Sequence, residues 1–252
     1  MTVDPVVAAL ATLRHTAPPG LDDKLFAGWL TAPSRLGAVF VAFTPAGVQF
    51  VRSSASLDGD EAAFAQAYRR RFARPLRPVD RAPAGLLPAL RGGRGAAPPL
   101  DLGGLSAFER SVLAATSTIP AGETRPYGWV AREVGKPRAV RSVASVLARN
   151  PVPLLVPCHR VVRADGVVGR YLFGTEHKEA LLREEHTNLD DVAALARRGV
   201  HYLGSDTTGI VCFPTCHHAR RITPAHRAEF ATVAAAAAAG YRPCDACRPG
   251  AA

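Results

Sequence analysis

The apolar positions of this chain change period several times, and each change marks an element. Two β-rich runs, Leu36–Phe43 and Val48–Val51, flank Thr44-Pro45-Ala46-Gly47 and predict a β-hairpin. Residues 58–72 shift to helical spacing. Asp60 is placed there as an N-cap, and Arg69, Arg70 and Arg71 fall in the last turn, where cations suit the helix dipole. Residues 81–99 are rich in Gly, Pro, Ala and Arg and read as a linker. From Ser106 to Ile119 a capping serine precedes Phe108, Val112, Leu113 and Thr116, the spacing of an amphipathic helix. Two short helical segments follow, residues 127–134 and 138–148, joined by Gly135-Lys136-Pro137. A helix pair around a glycine-bearing turn is a helix-turn-helix pattern. The second of these helices is rich in small residues (Ala139, Ser142, Ala144, Ser145), which let its backbone approach another helix or a DNA groove closely. Leu154, Leu155 and Val156, bounded by Pro153 and Pro157, predict a buried extended segment that ends at Cys158. Asp165-Gly166 marks a turn, residues 175–185 a helix, and Ala231–Ala239 an alanine-rich helix.

Charge and cysteine usage narrow the chemistry. The net charge is +10 over 252 residues, which favours an anionic partner, nucleic acid first. Residues 125–163 hold eight basic residues against one acidic residue, Glu133, so most of the excess is concentrated there. No stretch approaches the roughly 18–20 apolar residues of a membrane span. The opening Met1–Leu10 lacks a basic segment and carries Asp4, which argues against a secretory leader. The five cysteines comprise one lone residue, Cys158, and two close pairs, Cys212/Cys216 and Cys244/Cys247. The pairs read C-x3-C and C-x2-C with 27 residues between them. Four thiolates so spaced satisfy tetrahedral Zn²⁺, whereas iron–sulfur ligation commonly uses other spacings. The pattern fits a reducing cytoplasm, one zinc ion and no organic cofactor. Cys158 has His159 and Arg160 directly behind it, neighbours that a reactive thiol needs. The tripeptide alone fits a core cysteine equally well.

The surroundings of Cys158 carry more. Asn150-Pro-Val-Pro, then Pro-Cys-His-Arg-Val-Val at 157–162, then Asp165-Gly166 and the K-x-x-L-L-x-x-E run ending at Glu185 resemble the active-site segment of the O6-alkylguanine-DNA alkyltransferases. The resemblance spans about residues 99–185 and includes Tyr127 and Arg141 at family spacing. It implies a small α/β domain before residue 97 and a minor-groove approach by the helix-turn-helix. It also implies roles. Cys158 accepts the alkyl group, His159 takes the thiol proton through a water, and Glu185 orients His159. Tyr127 serves the leaving base, and Asn150 fixes the hinge before the active-site segment. Arg141 fills the gap left by a flipped nucleotide, and Arg138, Ala139 and Ser142 lie at the DNA. Tyr171, Leu172 and Phe173 line the alkyl pocket, the last two bulky enough to narrow it.

The tail resembles a second family. T-T-G-I-V-C-F-P-T-C at 207–216 and G-Y-R-P-C-D-A-C at 240–247 are similar to the zinc domain of the Ada proteins. That likeness implies Cys212, Cys216, Cys244 and Cys247 as ligands, Cys212 as a second methyl acceptor from DNA phosphotriesters, and Thr208 and Arg242 near DNA. The family's basic run is here His217-His218-Ala219-Arg220-Arg221, with Ala219 in place of one arginine.

Together these features predict three units: an α/β N-terminal domain with linker over 1–96, a mainly α helix-turn-helix domain over 97–187, and a small zinc-bound α+β domain over 188–252. The expected activity is irreversible, single-turnover alkyl transfer from O6-alkylguanine, with O4-alkylthymine a further substrate, in double-stranded DNA to Cys158. The protein is expected to be a cytoplasmic monomer with no membrane association. The competing class is a non-transferring damage sensor or transcription factor whose zinc domain only binds DNA.

Overall fold

The computed structural model describes residues 18–250 apart from Pro19 and Arg94, so the expectation about Met1–Leu10 lies outside the described residues. After a single helical turn, α1 (Leu21–Leu25), come β1 (Ala27–Ser34), β2 (Gly37–Thr44) and β3 (Gly47–Ser53), an antiparallel meander. Then α2 (Glu61–Phe72) leads to β4 (Leu76–Pro78), which pairs parallel to β1 and completes the order β3-β2-β1-β4. Side chains alternate across a strand, and β2 uses both faces. Phe40 and Ala42 join Phe50, Phe64 and Tyr68 in an aromatic core under α2, while Val39 and Val41 enter the main core on the other side. Asp60 caps α2, its carboxylate accepting from the Ala62 and Ala63 amides at 2.7 and 3.1 Å.

The stretch predicted as a linker is more ordered than its composition suggests. Within it lies α3 (Leu86–Leu90), and Leu86 and Leu90 are fully buried. An i,i+4 leucine pair is enough to seat one helical turn on the sheet, a signal masked by the surrounding Gly, Pro and Arg. Val48 donates to the Pro99 carbonyl at 2.8 Å, and Asp101 donates to that of Val48 at 2.9 Å.

The middle unit begins with α4 (Ala107–Ser117), closed by a reciprocal capping box between Ser106 and Glu109. It continues through β5 (Arg125–Pro126), α5 (Tyr127–Glu133) and α6 (Val140–Ala148). Lys136 to Ala139 form the turn between the last two, so Arg138 and Ala139 precede the second helix rather than start it. The segment Leu154–Val156 is a tight turn, not the extended run expected. Val156 donates back to the Val152 carbonyl at 2.9 Å, and Leu154 takes the left-handed conformation with φ +72°. The Asn150 side chain organises it by accepting from the Val152 amide at 3.0 Å. A 3₁₀ turn over Cys158–Arg160 runs into β6 (Val161–Val162), which pairs parallel with β5, and α7 (Thr175–Glu184) follows.

The last unit contains α8 (Leu189–Arg197), β7 (Tyr202–Ser205), β8 (Ile210–Cys212), β9 (Arg227–Phe230), α9 (Val233–Ala238) and β10 (Arg242–Pro243). Its sheet order is β10-β8-β7-β9. The fold class is thus an α/β unit, a mainly helical unit and a small α+β unit. One hydrophobic core runs through all three, from Val39 through Leu113 and Trp129 to Cys216 and Cys247. Among the described residues no helix is long and apolar enough to cross a membrane.

Candidate functional site

The first centre is built on Cys158. Its residue is 4% exposed, at the base of a cleft of about 480 Å³ whose walls include Tyr127, Tyr171 and Leu172 and, from α6, Ala144 and Ser145. Asn150 reaches across the turn it organises and donates to the Cys158 Sγ at 3.1 Å and to the Val156 carbonyl at 3.2 Å. The next residue, His159, is buried, and its Nε2 lies 2.9 Å from Glu185 Oε1. Glu185 caps the C-terminus of α7 and is the hub of a buried cluster. Arg160 donates to it twice, at 2.8 and 2.9 Å, and Arg35 of the N-terminal sheet once, at 2.9 Å. His159 Nδ1 is buried and has no hydrogen-bond partner among the described residues.

The electrostatics assign protonation states. Burial pushes the Cys158 thiol up, against the Asn150 hydrogen bond and the nearby Lys178 and Arg52 cations. Burial pushes His159 down, against the pull of Glu185. Burial alone would raise the Glu185 carboxyl, but hydrogen bonds from His159 and Arg160 outweigh it and hold it well below the usual carboxylate range. The resting centre is therefore a thiol, a neutral imidazole and a carboxylate. Because Glu185 is ionised, Nε2 carries the imidazole hydrogen and Nδ1 is the free base. Burial also raises the Tyr127 hydroxyl, with Cys158 adding to the effect, so Tyr127 stays protonated.

The centre also holds residues outside the sequence motifs. Lys178 is fully buried, donates to the Val161 carbonyl at 2.5 Å, and is lowered by burial to about 8. Arg52 holds the carbonyls of Val51 and Pro151 at 2.6 and 3.4 Å. Arg35 and Arg52 come from a domain to which the sequence assigned no chemistry. Their signal is absent from sequence because more than 100 residues separate each from the cysteine. Phe173 differs from expectation. It does not line the cleft; it is buried in the main core, where its ring meets Tyr171 edge-on at 5.6 Å. Arg138, Arg141 and Ser142 are exposed on α6 and its preceding turn, and Ala139 is half-buried there.

The second centre comprises Cys212 at the end of β8, Cys216 one turn later, and Cys244 and Cys247 after β10. Their ligand atoms lie within 4.8 Å of one another and all four residues are buried. Four soft sulfur donors at that separation fit one tetrahedral Zn²⁺. Neither neighbouring histidine belongs to the set: His217 Nδ1 faces Glu123 at 2.9 Å, and His218 is exposed. Cys212 and Cys244 border a cleft of about 340 Å³ that also takes in the exposed Thr208, Arg221 and Arg242.

A buried thiol followed directly in sequence by the imidazole of a buried imidazole–carboxylate pair, in a cleft walled by an exposed basic helix-turn-helix, defines a class of cysteine-centred proteins built to face nucleic acid. Residues 107–187 match the family described as 6-O-methylguanine DNA methyltransferase, DNA binding domain, and residues 193–250 match the metal binding domain of Ada. A crystal structure of the Mycobacterium tuberculosis O6-methylguanine methyltransferase is 30% identical with a TM-score of 0.51, the match covering 64% of this chain and 93% of that one. The Mycobacterium tuberculosis OGT in complex with DNA is 28% identical with the same TM-score, covering 66% and 98%. The chain belongs to the O6-methylguanine-DNA methyltransferase family and carries an Ada-type zinc domain. Among curated relatives, the bifunctional transcriptional activator/DNA repair enzyme Ada of Escherichia coli is 49% identical over 90 residues, 36% of this chain and 25% of that protein. The methylated-DNA–protein-cysteine methyltransferase of Methanothermobacter thermautotrophicus is 45% identical over 91 residues, 36% of this chain and 51% of that protein. The chain thus spans about half the length of that methyltransferase and a quarter of Ada.

Proposed function

We propose that this protein repairs alkylated DNA by a single, irreversible transfer of an alkyl group, methyl above all, from O6 of guanine in double-stranded DNA to Cys158. The observation that carries it is the Cys158 cleft, with a buried thiol at its base, Tyr127 and Tyr171 in its walls and α6 with its exposed Arg141 beside it. A base whose O6 lies inside a stack reaches such a thiol only when flipped out. Arg141 fills the vacated place, while Arg138, Ala139 and Ser142 meet the backbone. The Cys158 proton passes through a water to His159 Nδ1. The S–C bond forms as the C–O6 bond breaks, and the electron pair leaves with the guanine, whose developing charge is met by the Tyr127 hydroxyl. Glu185 holds the imidazolium. The thioether product has no route back, so each molecule acts once.

The pocket is walled by Tyr171 and Leu172, and Leu172 narrows it against large adducts. The chain divides into units 1–96, 97–187 and 188–252 and works as a cytoplasmic monomer. In the last unit, zinc keeps four cysteines as thiolates and ties their loops together. Cys212, which borders the cleft shared with Thr208 and Arg242, is the second acceptor: its S–C bond forms as the methyl C–O bond of a DNA phosphotriester breaks, and the electron pair leaves with the phosphodiester. The test uses a duplex labelled at the O6-methyl group. One label per chain is expected for the native protein and none for Cys158→Ser; undiminished uptake by Cys158→Ser overturns the proposal.

A further inference from the structure

The two cysteine centres share one stretch of chain. Residues 119–126 touch the Cys158 site from one side. Arg160 donates to the Ile119 carbonyl at 2.6 Å, and Gly122 donates to Glu185 Oε2 at 3.4 Å. Gly122 sits at φ +78°, and a Cβ there would lie 2.5 Å from the Glu185 carbonyl oxygen. Arg125 and Pro126 form β5 and pair with Val161 and Val162, the residues directly after the Cys158 turn.

The same stretch touches the zinc unit from the other side. The Thr124 amide donates to Thr215 Oγ1 at 2.9 Å. Glu123 is 2% exposed, pairs with buried Arg125 at 2.5 Å, and accepts from the His217 amide at 3.0 Å. The Arg125 guanidinium lies 5.3 Å from the Phe213 ring. Just beyond, the buried Trp129 indole donates to the Cys247 carbonyl at 3.0 Å, and Arg248 forks onto Glu133. Thr215, His217 and Cys247 are in the loops that carry the zinc ligands. Buried polar groups such as the Thr124 amide and the Trp129 indole hold these partners because losing them leaves unpaired donors in the core.

We infer that the zinc unit braces the Cys158 site: its ligand loops hold residues 119–126 and Trp129, which in turn hold β6 and Glu185, so the integrity of the cysteine cluster sets the rate of the transfer step. The inference rests on the transfer function proposed above. Thr124, Thr215 and Trp129 are positioning residues in it, since none faces the thiol cleft.

The test uses the full chain with two readouts: hydrogen exchange of peptides covering 119–134 and 158–163, and the single-turnover rate of transfer at saturating O6-methylguanine duplex. Stripping zinc with a chelator is expected to raise exchange in both peptides and to slow the transfer step about tenfold, the effect of losing roughly 1.4 kcal/mol of positioning. Added zinc restores both. Thr215→Val keeps the volume but loses the bond to Thr124, and is expected to slow the step roughly fivefold, with zinc still bound. Thr215→Ser keeps the hydroxyl and the native rate, and Trp129→Phe behaves like the valine variant. Unchanged exchange at 158–163 and an unchanged transfer rate after the zinc unit has opened would overturn the inference. So would a loss confined to DNA affinity. Zinc-loaded protein that transfers nothing would refute the transfer function, and the exchange readout would still decide the brace.

Discussion

The chain holds its sulfur in two opposite ways. Cys158 is a solitary thiol, kept protonated by burial; Asn150 donates a hydrogen bond to its sulfur, and the neutral imidazole next to it in sequence is held by a carboxylate that two arginines grip. The other four cysteines need no base, because a divalent cation among them supplies the driving force for ionisation. In the proposed reaction one centre stores its nucleophile as an acid until a substrate arrives, and the other holds thiolates on its metal throughout. The difference explains why polar groups drawn from distant regions, Arg35 and Arg52, Asn150, and Lys178 and Glu185, surround Cys158.

Breaking that machinery should give the largest effect that spares the other centre. Glu185→Ala leaves Arg35, Arg160 and His159 facing one another without their counter-charge. Loss of one partner from a buried pair costs about 3–5 kcal/mol of stability. Transfer to Cys158 should fall by about 10²-fold or more, the typical contribution of positioned acid–base chemistry. Zinc content measured on the same sample should not change.

The pH profile sharpens the comparison next. The proposed mechanism needs the base form of His159, and burial holds its pKa below the ordinary imidazole value. The transfer rate should therefore stay level from neutral pH to below about 6.5 and drop only when His159 gains its proton. A rate that climbs steadily above pH 9 would indicate that the thiol ionises unaided. Stability should follow Glu185. Its folded pKa is depressed, so its contribution is present above the unfolded carboxylate value of about 4.3 and is lost as the pH falls through the folded value.

Arg141→Ala should lower transfer from a duplex about tenfold, as expected for one lost charged contact, while leaving transfer from the free O6-methylguanine base unchanged. The smallest effect concerns the pocket wall. Leu172→Ala should raise the rate with O6-benzylguanine severalfold, while Phe173→Ala should chiefly destabilise the core, by about 3–5 kcal/mol for a buried phenylalanine.

Much of this was legible in the residues themselves. The hairpin, the Asp60 and Ser106 caps, the helix pair and both cysteine patterns depend on local spacing, and local spacing is what a sequence displays. The turn at Leu154 departs from the extended preference of its apolar run because an Asn150 side-chain bond overrides it. The α3 helix was hidden in a Gly- and Pro-rich stretch. Arg35, Arg52 and the seam between Glu123, Thr124, Trp129 and the zinc loops are non-local. No periodicity announces a contact across about 90 or 150 residues, even when it closes the active site.

The most direct measurement is intact mass with peptide mapping after incubation with a duplex that carries O6-methylguanine and no phosphotriester. Separate chemistries at the two centres predict a gain of one methyl group, located entirely on Cys158, with Cys212, Cys216, Cys244 and Cys247 unmodified and zinc retained. A methyl group found on the cluster, or no gain by folded, zinc-loaded protein, would contradict the account.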